Sequence, residues 1–142
     1  MNSAQIFDIL KKHPITRKEF FGVFTADRIV KPQRFPSSIV VNTDDHKGPG
    51  KHWIALYFPD HQTAHYFDSL GSLPSSYPLI HQFIQKNFKI VKTIISKKRP
   101  IQLGYETSCG PHVVYYLITK NILALPQYPD YYSKIFTYSL IN

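Results

Sequence analysis

His52-Trp53-Ile54-Ala55-Leu56-Tyr57-Phe58, followed by Pro59-Asp60-His61-Gln62 and then Thr63-Ala64-His65-Tyr66-Phe67-Asp68, is the stretch on which the fold turns. The outer runs are rich in aromatic and branched side chains that suit a pleated, half-buried surface, and the four residues between them are turn formers. The pattern predicts a β-hairpin, with His52 opening its first strand and Asp68 closing its second. In an antiparallel pair the first residue of one strand lies beside the last of the other, so both side chains reach the same sheet edge.

Upstream of the hairpin, Asp44 to Gly50 is polar, contains Gly48-Pro49-Gly50 and reads as a loop; the β-branched run Ser38-Ile39-Val40-Val41-Asn42 before it reads as a buried strand. A Phe-rich stretch around Phe20, Phe21 and Phe24 and a loop with Pro32 and Pro36 come earlier. The chain begins with a short amphipathic helix over Ser3 to His13, with Ile6, Phe7, Ile9 and Leu10 on one side, Ser3 as its cap and Pro14 ending it. Downstream, Tyr77 to Phe88 has helical spacing and Ile90 to Ile95 is strand-like, so a helix crosses between two strands. After a loop around Gly104, Cys109 to Leu123 is helical with Val113, Val114, Leu117 and Ile118 as its buried face. The Tyr-rich tail from Gln127 reads as a last helix or an extended cover. The expectation is one domain over residues 1–142, of α+β class, with a central, mostly antiparallel sheet flanked by helices.

The hydrophobic fraction of 43%, with ten Phe and ten Tyr, supplies a core and argues against disorder. Seventeen Lys and Arg against nine Asp and Glu give a formal charge of +8, which favours a polyanionic partner. Basic residues cluster at Lys11, Lys12, Arg17 and Lys18, and again at Lys97, Lys98 and Arg99. One cysteine permits no intramolecular disulfide, and no apolar run approaches the ~20 residues of a membrane span. An intracellular setting without membrane contact follows as the expectation. The seven histidines have no metal-ligand spacing, so no metal is expected.

Cys109 stands at a predicted helix start, where unpaired backbone N–H groups and the macrodipole favour thiolate over thiol. Gly110 after it leaves room for a substrate backbone, and Pro111 needs no partner for a missing N–H in the first turn. A lone cysteine is also an ordinary small core residue, and Ser108-Cys109-Gly110-Pro111 alone does not choose. Similarly, His52 beside Trp53 suits a structural strand residue or a general base, and Asp68 a turn residue or the group that orients a histidine. Gln102 suits a surface glutamine or an oxyanion donor acting with the Cys109 N–H. Taken together, the four supply nucleophile, base, orienter and oxyanion donor, which unrelated structural residues seldom do jointly.

The order His52-Trp53, Asp68, Gln102, Cys109-Gly110 resembles the adenovirus-type cysteine endopeptidases and, more distantly, the proteases that process ubiquitin-like proteins. Phe20-Phe21-Gly22-Val23-Phe24 with Asp27 and Arg28, then Val40-Val41-Asn42-Thr43, extend the likeness to the adenovirus type. The resemblance implies a papain-like or adenain-like core, with His52, Asp68, Gln102 and Cys109 as catalytic residues and Trp53 and Gly110 in support. It further implies cleavage of viral or transposon-encoded precursor proteins, capsid proteins among them, at small or glycine-containing sites during virion maturation, in the host nucleus or cytoplasm and in the virion. No cofactor is demanded by the sequence. DNA and a non-covalent activating peptide are compatible with it, whereas a peptide tethered through a second cysteine is not. Two other readings share the same residues: deconjugation of ubiquitin-like or SUMO-like modifiers, and a non-enzymatic basic nucleic-acid-binding module in which Cys109 is core.

Overall fold

The computed structural model describes residues 1–48, 52–95, 109–120 and 134–139, and for 95, 109 and 134–139 it describes the backbone. In chain order the elements are α1 (Ser3–Lys12), β1 (Phe20–Thr25), β2 (Ser37–Asn42), β3 (Trp53–Asp60) and β4 (Thr63–Phe67), a 3-10 turn (Pro74–Ser76), α2 (Pro78–Asn87), β5 (Ile90–Ile95), α3 (Cys109–Ile118) and β6 (Lys134–Ser139). The strands form one mixed six-stranded sheet in sequence order. β2–β3, β3–β4 and β5–β6 are antiparallel, whereas β1–β2 and β4–β5 are parallel. The α+β expectation holds, and α2 makes the crossover that two parallel neighbours require.

Helices cover both faces of the sheet. Ile39, Val40 and Val41 are all fully buried, because successive side chains on β2 point to opposite faces and each face has its own cover. Val40, Ala55 and Phe67 pack with Ile6 and Leu10 of α1 and Val113, Tyr116 and Leu117 of α3. Ile39, Val41, Ile54, Leu56 and Tyr66 pack on the other side with Ile80 and Ile84 of α2. Offset aromatic stacks close each layer, Phe67 on Tyr116 at 4.6 Å and Phe58 on Phe88 at 4.5 Å between centroids.

Several local features differ from the sequence reading. The cap of α1 is Asn2 rather than Ser3: Asn2 Oδ1 accepts from Gln5 N and Gln5 Oε1 from Asn2 N, a reciprocal box that satisfies two otherwise orphaned donors. Ile6 and Leu10 carry the buried face of α1, while Phe7 and Ile9 stay exposed. The Phe-rich stretch forms strand β1, with a register irregularity between Phe20 and Gly22 that lets a glycine stand inside it. Pro59 lies within β3, where the β3–β4 register is irregular between Tyr57 and Asp60, so its missing N–H costs no regular ladder bond. The tail contributes edge strand β6; Gln102, Lys97, Lys98 and Arg99 lie outside the described residues.

Candidate active site

The hairpin register pairs Ala55 with Phe67. Carried one residue further, it sets Asp68 opposite Ile54, and His52 at the next position of the same parity. Both residues sit just past their strand ends, where the side chains turn toward each other. His52 and Asp68 are buried, 7% and 3% exposed, and the His52 Nε2–H donates to Asp68 Oδ1 at 2.5 Å. A neutral imidazole that donates through Nε2 has Nδ1 as its basic nitrogen, so Asp68 fixes both the tautomer and the ring plane. The His52 carbonyl accepts from Thr43 N at 2.8 Å, tying the backbone to β2's end.

Asp68 is itself held by several donors. Leu70 N donates to Oδ1 at 2.9 Å, Tyr77 OH to Oδ2 at 2.9 Å, and Tyr66 OH to Oδ2 at 3.4 Å. Its carbonyl accepts from Gly71 N at 2.9 Å, closing a turn in which Gly71 takes φ 77°, the left-handed region that favours glycine. The turn role and the orienting role offered as alternatives for Asp68 therefore coexist. A buried carboxylate needs this many donors to offset its desolvation. Tyr66 and Tyr77 are site residues that the sequence reading missed. Tyr66 carried a signal, since two residues apart on a strand means the same face as Asp68. Tyr77 carried none; the 3-10 turn brings it back, with its ring 6.4 Å from the imidazole.

Cys109 is the first residue of α3, at the helix N-terminus that the sequence assigned to it. α3 packs against β3, the strand that His52 precedes, through Val113, Tyr116 and Leu117. Beyond its C-terminus, Lys120 pairs with Glu19 in a largely buried contact and lies 4.7 Å from the centroid of the Tyr57 ring. Trp53 pairs with Asn42 in the sheet, is partly buried, and donates its Nε1–H to the Met1 carbonyl at 3.2 Å. Gly110 does not face open room for a substrate backbone: a Cβ built there would lie 2.7 Å from Met1 Cβ.

Other titratable groups stand apart from this constellation. Asp27 is paired with His46, which holds its carboxyl down at about 2 and ties the loop after β2 to the end of β1. His65, on β4, is pushed down to about 4 by burial and then by the neighbouring Lys92 charge. Among the described residues no three His, Cys, Asp or Glu side chains group as metal ligands do, and no helix is long and apolar enough to cross a membrane.

The chain is similar to known proteins whose names describe cysteine proteases. The chain is 34% identical over 87 residues, 55% of its length, to the cysteine protease S273R of African swine fever virus isolate Tick/Malawi/Lil 20-1/1983. It is 30% identical over 103 residues, 66% of its length, to the protein named SUMO-1 cysteine protease S273R of isolate Tick/South Africa/Pretoriuskop Pr4/1996. These matches cover 31% and 37% of the relatives, so the chain spans about a third of the curated proteins it resembles. No protein-family model matches the chain.

Proposed function

We propose that the protein is a cysteine endopeptidase in which Cys109 is the nucleophile, His52 the general base and Asp68 the group that orients it. The observation that carries this reading is the buried His52 Nε2–H to Asp68 hydrogen bond, which gives Nδ1 the role of proton acceptor. Nδ1 takes the Cys109 thiol proton as sulfur attacks the scissile carbonyl. The developing oxyanion is met by the Cys109 N–H and the Gln102 side chain. His52 then returns the proton to the leaving amine, and water, deprotonated by the same nitrogen, hydrolyses the thioester. The helix start favours the thiolate throughout.

The substrates we assign are precursor polypeptides, capsid proteins of a virus or mobile element among them, cut at small or glycine-containing sites within the cell and in the virion. DNA is proposed as a polyanionic partner, on the +8 charge and the exposed Lys11, Lys12, Arg17 and Lys18, with a non-covalent peptide as a second activator. A second reading, SUMO-like deconjugation, is favoured by the name of one relative, SUMO-1 cysteine protease S273R. A SUMO vinyl-sulfone probe that labels Cys109 while short peptide probes do not selects that second reading; the reverse selects the endopeptidase.

The deciding test is the iodoacetamide alkylation rate of Cys109 from acid to neutral pH in the native protein and in His52→Ala. Reaction well below the ~8.5 of a free thiol, lost in the variant, is the expected result. A thiol that reacts only on unfolding overturns the assignment. Cys109→Ala should abolish peptide cleavage with the fold intact.

A further inference from the structure

A groove of about 400 Å³ opens between α2 and the segment that follows β1. α2 lines it with Leu79, Phe83 and Lys86, and the segment with Asp27, Ile29 and Lys31. Leu79, Phe83 and Lys86 stand at i, i+4 and i+7, on one face of the helix and within about 10 Å of its length. Apolar contact therefore gives way to positive charge over a distance that about three extended residues cover. Leu79 is 44% exposed although apolar, which leaves surface for a partner to bury.

The charges of the groove are not balanced. Asp27 is already engaged: Oδ1 accepts from Thr25 Oγ1 at 2.8 Å and from His46 N at 2.9 Å, and Oδ2 pairs with the His46 ring. Lys31 and Lys86 make no ion pair among the described residues. Lys31 is half-buried, with Nζ 5.4 Å from the centroid of the Phe88 ring, which holds the ammonium at the apolar wall. A cation held against apolar surface attracts a carboxylate more strongly than one surrounded by water.

We infer that this groove docks a polypeptide segment in which a bulky apolar side chain is followed within a few residues by Asp or Glu. The apolar side chain covers Leu79, Ile29 and Phe83, and the carboxylate meets Lys31 and Lys86. The formal charge of +8 draws an acidic segment toward the chain, and the two lysines fix where it settles. The groove starts at the end of the sheet where His52 enters, since Thr25, the last residue of β1, pairs with Asn42 and Asn42 with Trp53. The docked segment is then a part of the substrate remote from the scissile bond. That role rests on the endopeptidase reading; the docking itself does not.

The test reads the fluorescence anisotropy of a fluorescein-labelled peptide, Ser-Thr-Leu-Ser-Glu-Glu-Ser-Thr, titrated with the protein. Two control peptides replace Leu by Ser or both Glu by Gln, and each should bind several-fold more weakly. Lys86→Glu and Leu79→Ser, both at exposed positions, should each weaken binding of the parent peptide several-fold, and either carries the test should the other fail to fold. Arg34→Glu makes the same charge change at an exposed position outside the groove lining and should leave binding as it was. A parent peptide that does not bind, binding indifferent to both groove variants, or an equal loss in Arg34→Glu overturns the proposal. An oligothymidylate that displaces the peptide and is itself weakened by Lys86→Glu makes the groove a nucleic-acid site, which also overturns it. Anisotropy needs no turnover, so failure of the endopeptidase reading, seen as a thiol indifferent to His52→Ala, is told apart from failure of the docking.

Discussion

Asp68 shows how much of a site one side chain can organise. Its two oxygens accept from an imidazole, a backbone amide and two phenols, so removing any one donor leaves the carboxylate less compensated rather than free. Tyr77→Phe deletes the 2.9 Å bond to Oδ2 while keeping the ring, and should cost about 1–2 kcal/mol in denaturant unfolding. As a positioning residue, Tyr77 should also affect kcat on a peptide substrate more than KM. Asp68→Asn should be far more damaging to turnover than to folding, since an amide that donates toward Nε2 selects the wrong tautomer; loss of several powers of ten in kcat with a near-native melting temperature is expected. His52 and Asp68 were legible in the sequence because hairpin arithmetic alone places them together. Tyr77 was not, because its arrival depends on where the chain goes after Gly71, and nothing local encodes that path.

At the scale of elements, the strands with simple alternation or a β-branched run were readable, and the strands that escaped were β1 and, in the Tyr-rich tail, β6. Phe20-Phe21-Gly22 offers aromatic bulk with a glycine in the middle, and only pairing to β2 with a bulge rescues it as a strand. Helix positions were legible from spacing, yet the cap of α1 was displaced by one residue. Ser3 and Asn2 are both good caps, and the Gln5 side chain decides in favour of Asn2 by completing the box. Asn2→Ala should therefore lower stability by about 1 kcal/mol, whereas Ser3→Ala should be close to neutral, a difference that thermal melts resolve. Gly71→Ala forces a Cβ into the left-handed region in the turn that closes at Asp68, and a loss of about 1–2 kcal/mol is expected.

At the scale of the whole molecule, Glu19, Lys120 and Tyr57 knit β1's approach, α3's exit and the sheet, with Tyr57 stacked edge-on to His65. Lys120→Met leaves Glu19 buried without its partner and should cost about 3 kcal/mol, part of which the double variant with Glu19→Gln should restore. His65 has its pKa lowered from 6.5 to about 4, so the unfolded chain binds the proton first. Stability from this residue is fully present above about 6.5 and is lost as pH falls toward 4; His65→Gln should flatten that part of the melting-temperature profile. The distances along the chain also differ in kind. His52 and Asp68 are 16 residues apart, whereas the Lys120–Glu19 contact that anchors α3 spans 101. Short loops close before long ones. A chain emerging from the ribosome thus closes the hairpin that joins His52 to Asp68 while α3, with Cys109 at its start, is still unmade; under the mechanism we propose, the base is ready before its nucleophile.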